Sequence, residues 1–152
     1  MSSQPVIVGP VRTAIGKFGK TLKNLSVQTL GEIVISESIH RSGLKPNDIE
    51  EVIIGNVVSA GLGLNVARQI AIGGGLPTEI GSITVNKVCG SGLKAIMLAA
   101  QAVRAGDVEV VLAGGAESLS NTPHLLRNIR WGKKSGNQEL VDSMIYDGLW
   151  DP

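Results

Sequence analysis

The sequence predicts a layered α/β fold on a mainly parallel sheet. Short apolar runs of strand length recur at 6–8, 52–58, 80–86 and 108–113. Helical patterns fill the intervals, and the resulting order βαβαβαβ favours a parallel sheet with covering helices and right-handed crossovers. The last run is apolar throughout, as expected of a parallel strand covered on both faces.

Each element has its own signal. Val6-Ile7-Val8 reads as a short buried strand closed by Gly9-Pro10. Ser26 is placed to cap a helix whose inner face carries Val27, Leu30, Ile33, Val34 and Ile39, and Gly43 stands where that helix stops. Lys45-Pro46-Asn47-Asp48 is a turn, and a second strand runs through Val52-Ile53-Ile54-Gly55-Asn56-Val57-Val58. A helix starting near Asn65 turns Val66, Ile70 and Ala71 inward and ends at Gly73-Gly74-Gly75. A third strand covers 80–86. The helix from Ser91 to Ala105 is apolar on nearly every side, which predicts burial all round. Gly106-Asp107 ends it before the fourth strand.

Beyond Gly114-Gly115 the pattern changes. Residues 117–136 are polar and turn-rich without a clear period, and Leu140, Val141, Met144 and Ile145 sit at helical spacing. They predict a last helix, capped at Asn137 and stopped at Gly148. Three of the four aromatic residues, Trp131, Tyr146 and Trp150, fall in the last 22 positions, so the tail is expected to pack on something other than the aliphatic first 118.

Composition narrows the function. The 152 residues are 43% apolar and 18% charged, enough to bury a core, and the net charge of +1 implies neither a nucleic-acid surface nor an acidic partner. The opening Met1-Ser2-Ser3-Gln4-Pro5 has no leader character. The longest apolar stretch, Ala95 to Ala105, is broken by Gln101 and Arg104 and is too short for a membrane span. One cysteine allows no internal disulfide and no cysteine-rich metal site, and a reducing, cytoplasmic home is expected.

That cysteine carries the chemical signal. In Val85-Asn86-Lys87-Val88-Cys89-Gly90-Ser91-Gly92-Leu93-Lys94-Ala95 a strand ends, Cys89 follows, and a helix begins. The sulfur then lies at a helix N-terminus, where unpaired N–H groups favour the reactive thiolate. Gly90 and Gly92 clear space for an approaching thioester. In parallel sheets ligands bind beyond the carboxyl ends of the strands, which is where Cys89 is placed.

Asn86 to Ala95 resembles the acyl-enzyme motif of thiolases. Val11-Arg12-Thr13-Ala14-Ile15-Gly16-Lys17-Phe18-Gly19 is similar to that family's opening segment. Gly55-Asn56-Val57, Asn65-Val66-Ala67-Arg68-Gln69, Gly114-Gly115-Ala116-Glu117-Ser118-Leu119-Ser120 and Asp142-Ser143-Met144-Ile145-Tyr146-Asp147-Gly148-Leu149 follow in order and spacing. Pro10, Ala14, Leu64 and Leu119 depart from the family pattern, away from the nucleophile. Ketoacyl synthases also place a cysteine at a helix start. The Gly-Ser-Gly surroundings of Cys89 and the Asp147-Gly148-Leu149 segment resemble thiolases instead.

The resemblance implies a thiolase-like core over 1–118, lacking its fifth strand, with the start of a coenzyme A loop domain and interface arm over 119–152. It implies Claisen-type chemistry in both directions: an acyl-CoA acylates Cys89, and a second acyl-CoA, deprotonated at its α-carbon, attacks that thioester. Cys89 carries over as nucleophile and its N–H as an oxyanion donor, and Leu149 as a residue lining the pantetheine channel. Acyl-CoA and coenzyme A are substrates; no resident cofactor or metal is implied. In the family a histidine, an Asn-bound water and a second cysteine complete the site. Their motifs are absent here, so the resemblance implies a complementary chain carrying the C-terminal half, and self-association through the 82–86 strand. The other reading is a truncated, inactive chain acting as scaffold or regulator of a full-length thiolase.

The remaining polar residues have plainer readings. His40 lies late in the first helix, where it suits the macrodipole. His124 belongs to the arm. Arg127, Arg130, Lys133 and Lys134 read as a solvated loop that could also attract the phosphates of coenzyme A. Glu117 reads as a structural cap at a strand end, and Asn65 and Arg68 as cap and interface residues.

Overall fold

The computed structural model describes residues 4–151; Met1-Ser2-Ser3 and Pro152, at the outer ends of the two predicted regions, lie outside it. The first helix, α1 (Val27–Ser42), begins at Ser26, whose hydroxyl accepts the Thr29 amide, and ends at Gly43 in the left-handed region at φ 74°. Strand β1 (Glu51–Gly55) follows, then α2 (Val66–Gly73), capped by the Asn65 side chain on the Arg68 amide. Strand β2 (Gly81–Val85), helix α3 (Ser91–Ala105) and strand β3 (Val111–Gly115) complete the core.

The three strands are parallel in the order β2-β1-β3. The central strand shows why the fold is layered. Val52 and Ile54 join one core with Val27, Ile35, Val66 and Ile70 from α1 and α2. Ile53, between them, faces the opposite way into a smaller core with Ala95 and Ala99 of α3. Alternation along an extended chain sends successive side chains to opposite faces. The expected α/β sheet with covering helices is therefore present.

Several boundaries differ from the sequence reading. Val6-Ile7-Val8 forms no strand, and all three side chains are exposed. The segment has no strand beside it among the described residues; Ser38 Oγ donating to Gly9 O at 2.7 Å ties it to α1 instead. An extended run needs a ladder partner to satisfy its backbone. The second strand stops at Gly55, because beyond it the Val57 and Val58 amides donate to the Glu117 carboxylate rather than to a neighbouring strand. The fourth run is a strand only from Val111; just ahead of it Val110 O still accepts the Glu50 amide, but the Glu50 carboxylate takes the amides of Glu109 and Val110.

Helix α3 has its predicted limits but not its predicted burial. Ala95 and Ala99 are buried, whereas Leu93, Ile96 and Met97 are 65%, 37% and 48% exposed. Its apolar outer side has no cover within the described residues.

The tail also departs from expectation. Leu140–Asp142 is a strand (β5), antiparallel to His124–Leu126 (β4) within the stretch that showed no period. Three-residue strands whose partner lies far along the chain leave no periodic trace. The predicted last helix shrinks to a π-helical turn, Met144–Leu149. Ser143 donates through both its amide and its hydroxyl to Pro123 O, and Asp142 Oδ1 accepts the Met144 amide, so no continuous helix runs through these positions.

Candidate active site

The site is built on a flush sheet edge. Gly55 pairs with Val85 on one side and Gly115 on the other, so all three strands end at one level. Cys89 stands just past that edge, two residues before α3, and is exposed.

The turn that carries Cys89 is strained and heavily bonded. Val88 has φ 47°, a left-handed conformation that a β-branched residue adopts only under constraint, at a cost of about 1–3 kcal/mol. Beside the backbone bonds of the Gly90 amide to Lys87 O and the Ser91 amide to Val88 O, three side-chain bonds hold it. Asn86 Oδ1 accepts the Val88 amide at 2.9 Å, Ser91 Oγ accepts the Lys87 amide at 2.8 Å, and Ser91 Oγ donates to the Val88 carbonyl at 2.6 Å. Ser91 is buried at 4% exposure. Sequence reasoning missed Asn86 and Ser91; the signal available was a polar residue on each side of the nucleophile, at an offset suited to turn capping.

The first turn of α3 rests directly on the sheet edge. A Cβ on Gly55 would lie 2.4 Å from the Ser91 carbonyl carbon, and one on Gly115 would lie 3.0 Å from Gly92 Cα. Only glycine admits this approach. These glycines therefore set the depth at which α3, and Cys89 ahead of it, sits.

Beneath the turn lies a second polar group. Asn56, 2% exposed, donates to Ala116 O at 3.1 Å and to Glu117 Oε1 at 2.9 Å. Glu117 Oε2 accepts the Val57 amide at 2.8 Å. Glu117 thus joins the loop after β1 to the end of β3, in line with the structural reading of its position.

Leu149 is 60% exposed on the π-helical turn. That turn is seated on the loop after β1, since a Cβ on the adjacent Gly148 would lie 2.9 Å from Val58 Cγ2. His40 is exposed, 3.9 Å from Glu37, and His124 pairs with Asp142 across the β4–β5 hairpin at 4.0 Å. Neither histidine has a bond to the Cys89 turn. Arg127 leaves the basic loop to stack 4.6 Å above the Tyr146 ring, and Tyr146 stacks on Trp150 at 6.0 Å. Tyr146, by hydrogen bonding and charge, is the main cause that raises the Arg127 guanidinium above its ordinary pKa. Among the described residues no group of three or more His, Cys, Asp or Glu side chains could hold a metal, and no helix is long and apolar enough to cross a membrane.

Comparison with known proteins agrees with the fold. Residues 5–152 match the thiolase N-terminal domain. The chain is 53% identical over 146 residues to an acetyl-CoA acetyltransferase of Cupriavidus necator, covering 96% of this chain and 37% of that protein. It is 54% identical over 149 residues to a probable acetyl-CoA acyltransferase of Staphylococcus epidermidis, covering 98% of this chain and 38% of that protein. The crystal structure of Acat5 thiolase from Ascaris suum in complex with coenzyme A superposes with a TM-score of 0.88 at 46% identity, over 93% of this chain and 36% of that one. The chain thus spans little more than a third of the length of these relatives. With its layered α/β core and its matched sequence, the chain belongs to the thiolase family.

Proposed function

We propose that this chain is the nucleophile-bearing part of a split thiolase, active when a second chain supplies the C-terminal half. Cys89 sulfur attacks the carbonyl carbon of an acyl-CoA. A new C–S bond forms, the bond to coenzyme A breaks, and coenzyme A leaves as its thiol after taking a proton. In synthesis a second acyl-CoA gives up an α-proton to a base of the complementary half, and its carbanion takes the acyl group as the C–S bond to Cys89 breaks. In thiolysis Cys89 attacks the 3-oxo carbon of a 3-oxoacyl-CoA, the bond between the α- and 3-oxo carbons breaks, the acetyl-CoA enolate leaves and takes a proton, and coenzyme A then accepts the acyl group from Cys89. The Cys89 N–H serves as an oxyanion donor, a role that needs a fixed backbone. Leu149 lines the channel for the pantetheine arm. Residues 1–118 form the core and 119–152 the start of the loop domain, in a cytoplasmic enzyme that also pairs with its own copy through the 82–86 strand.

The observation that carries the reading is Cys89 itself, exposed past a flush parallel sheet edge behind a strained Val88. Relatives named for acetyl-CoA transfer support the substrate class. The need for a second body is supported by the bare outer side of α3, by exposed Val6-Ile7-Val8, and by the unpaired outer edge of β3 among the described residues.

The test is complementation. The chain is mixed with a chain carrying a thiolase C-terminal half and given acetyl-CoA. We expect an acetyl adduct on Cys89 by peptide mass spectrometry, and cleavage of acetoacetyl-CoA by coenzyme A. Absence of both with every such partner overturns the split reading and favours a scaffold.

A further inference from the structure

We propose that Glu117 is the positioning residue of the nucleophile turn, acting on Cys89 through the loop after β1 and the side chain of Asn86. The inference rests on Cys89 as the nucleophile. Its evidence is a continuous series of bonds. Glu117 Oε2 accepts the Val57 amide at 2.8 Å and the Val58 amide at 3.4 Å. On the other face of the same peptide segment, Val57 O accepts from Asn86 Nδ2 at 3.4 Å. Asn86 Oδ1 then accepts the Val88 amide at 2.9 Å. Val88, at φ 47°, is the residue before Cys89.

The strained conformation explains why such a series is useful. A valine held in the left-handed region is drawn towards the extended region when its amide is released, against the Ser91 bonds to the Val88 carbonyl that remain. Relaxation there swings the next residue, and with it both the sulfur and the oxyanion-donating N–H. Asn86 is the clamp on that amide. Its side chain is exposed, and the Val57 carbonyl ties it to the loop after β1. Glu117 fixes that carbonyl by gripping the amides on either side of it. A carboxylate suits the task because charged acceptors make hydrogen bonds roughly twice as strong as neutral ones. Glu117 Oε1 is itself anchored by Asn56, whose own Oδ1 is buried without a hydrogen-bond partner. A glutamine in place of Glu117 can keep the Val57 amide on its carbonyl, but its amide then meets Asn56 Nδ2, a donor already committed to Ala116 O, so part of the anchor is lost.

The experiment is hydrogen exchange on the full chain, followed by peptide mass spectrometry, for wild type, Glu117→Ala, Glu117→Gln and Asn86→Asp. Glu117→Ala should speed exchange by about tenfold both at 56–58 and at 86–91, with α1 unchanged. Glu117→Gln keeps an acceptor for the Val57 amide and should restore part of the protection at both places. Asn86→Asp keeps an acceptor for Val88 but loses the donor to Val57 O, so it should loosen 86–91 while 56–58 stays protected. Faster exchange at 56–58 alone in Glu117→Ala overturns the proposal, as does an unaltered 86–91 segment in Asn86→Asp. If Glu117→Ala does not fold, Glu117→Gln and Asn86→Asp decide it. Where the complemented enzyme is active, Glu117→Ala should lower acetyl transfer to Cys89 with little change in the half-saturating acetyl-CoA concentration, and Glu117→Gln should recover part of it. An inactive wild type counts against the split-enzyme reading, while the exchange result still decides the positioning role.

Discussion

The Ser91 hydroxyl donates to the Val88 carbonyl at 2.6 Å, closing a turn around Cys89 from the first residue of the following helix. The same oxygen accepts the Lys87 amide. One buried hydroxyl thus fixes the backbone on both sides of the strained residue, and α3 cannot shift without carrying the cysteine with it.

Ser91→Ala removes both bonds and leaves a backbone amide short of its partner. We expect a loss of about 1–3 kcal/mol in denaturant unfolding. Acyl transfer to Cys89 in the complemented enzyme should fall more than stability explains. Unchanged unfolding and unchanged transfer together would show the hydroxyl to be idle.

Cys89→Ala should abolish the acyl-enzyme while leaving assembly with a partner chain intact, because Cys89 is exposed and belongs to neither hydrophobic core. The checks are intact-mass measurement after acetyl-CoA and size-exclusion of the complex. Thiolysis surviving in this variant would refute the nucleophile assignment.

Gly55→Ala places a methyl 2.4 Å from the Ser91 carbonyl carbon, and backbone cannot rotate away as a side chain can. We expect destabilisation of about 1–3 kcal/mol by overpacking and a displaced start of α3. Thermal melting and the rate of Cys89 alkylation by iodoacetamide report the two effects separately.

Ile70→Ala tests the opposite core. Ile70 is 0% exposed between α2 and α1. Its truncation should cost about 2–5 kcal/mol in unfolding while leaving native-state alkylation of Cys89 unchanged. A large change in alkylation would mean that the two faces of the sheet are coupled.

The isolated chain should associate with itself, since the apolar outer side of α3 and the edges of β2 and β3 are uncovered among the described residues. Sedimentation velocity should show species heavier than the monomer. Ile96→Glu on the bare side of α3 should shift the distribution towards monomer; a monomeric wild type contradicts the prediction.

The sequence by itself determined the local events. Ser26, Asn65 and Gly43 mark helix ends by short-range bonding and by left-handed backbone, so they were readable in place. The start of α3 and the position of Cys89 ahead of it followed from one glycine-rich junction, and its end from Gly106. Tertiary structure decided whatever depends on a distant partner. Val6-Ile7-Val8 has strand composition but no ladder, β5 gained its strand form only from β4, and α3 kept an apolar side that nothing described here covers. The clamp on Cys89 was invisible for the same reason. Glu117 lies sixty positions from Val57, and only the parallel register that aligns Gly55 with Gly115 brings that carboxylate to the loop beneath the nucleophile.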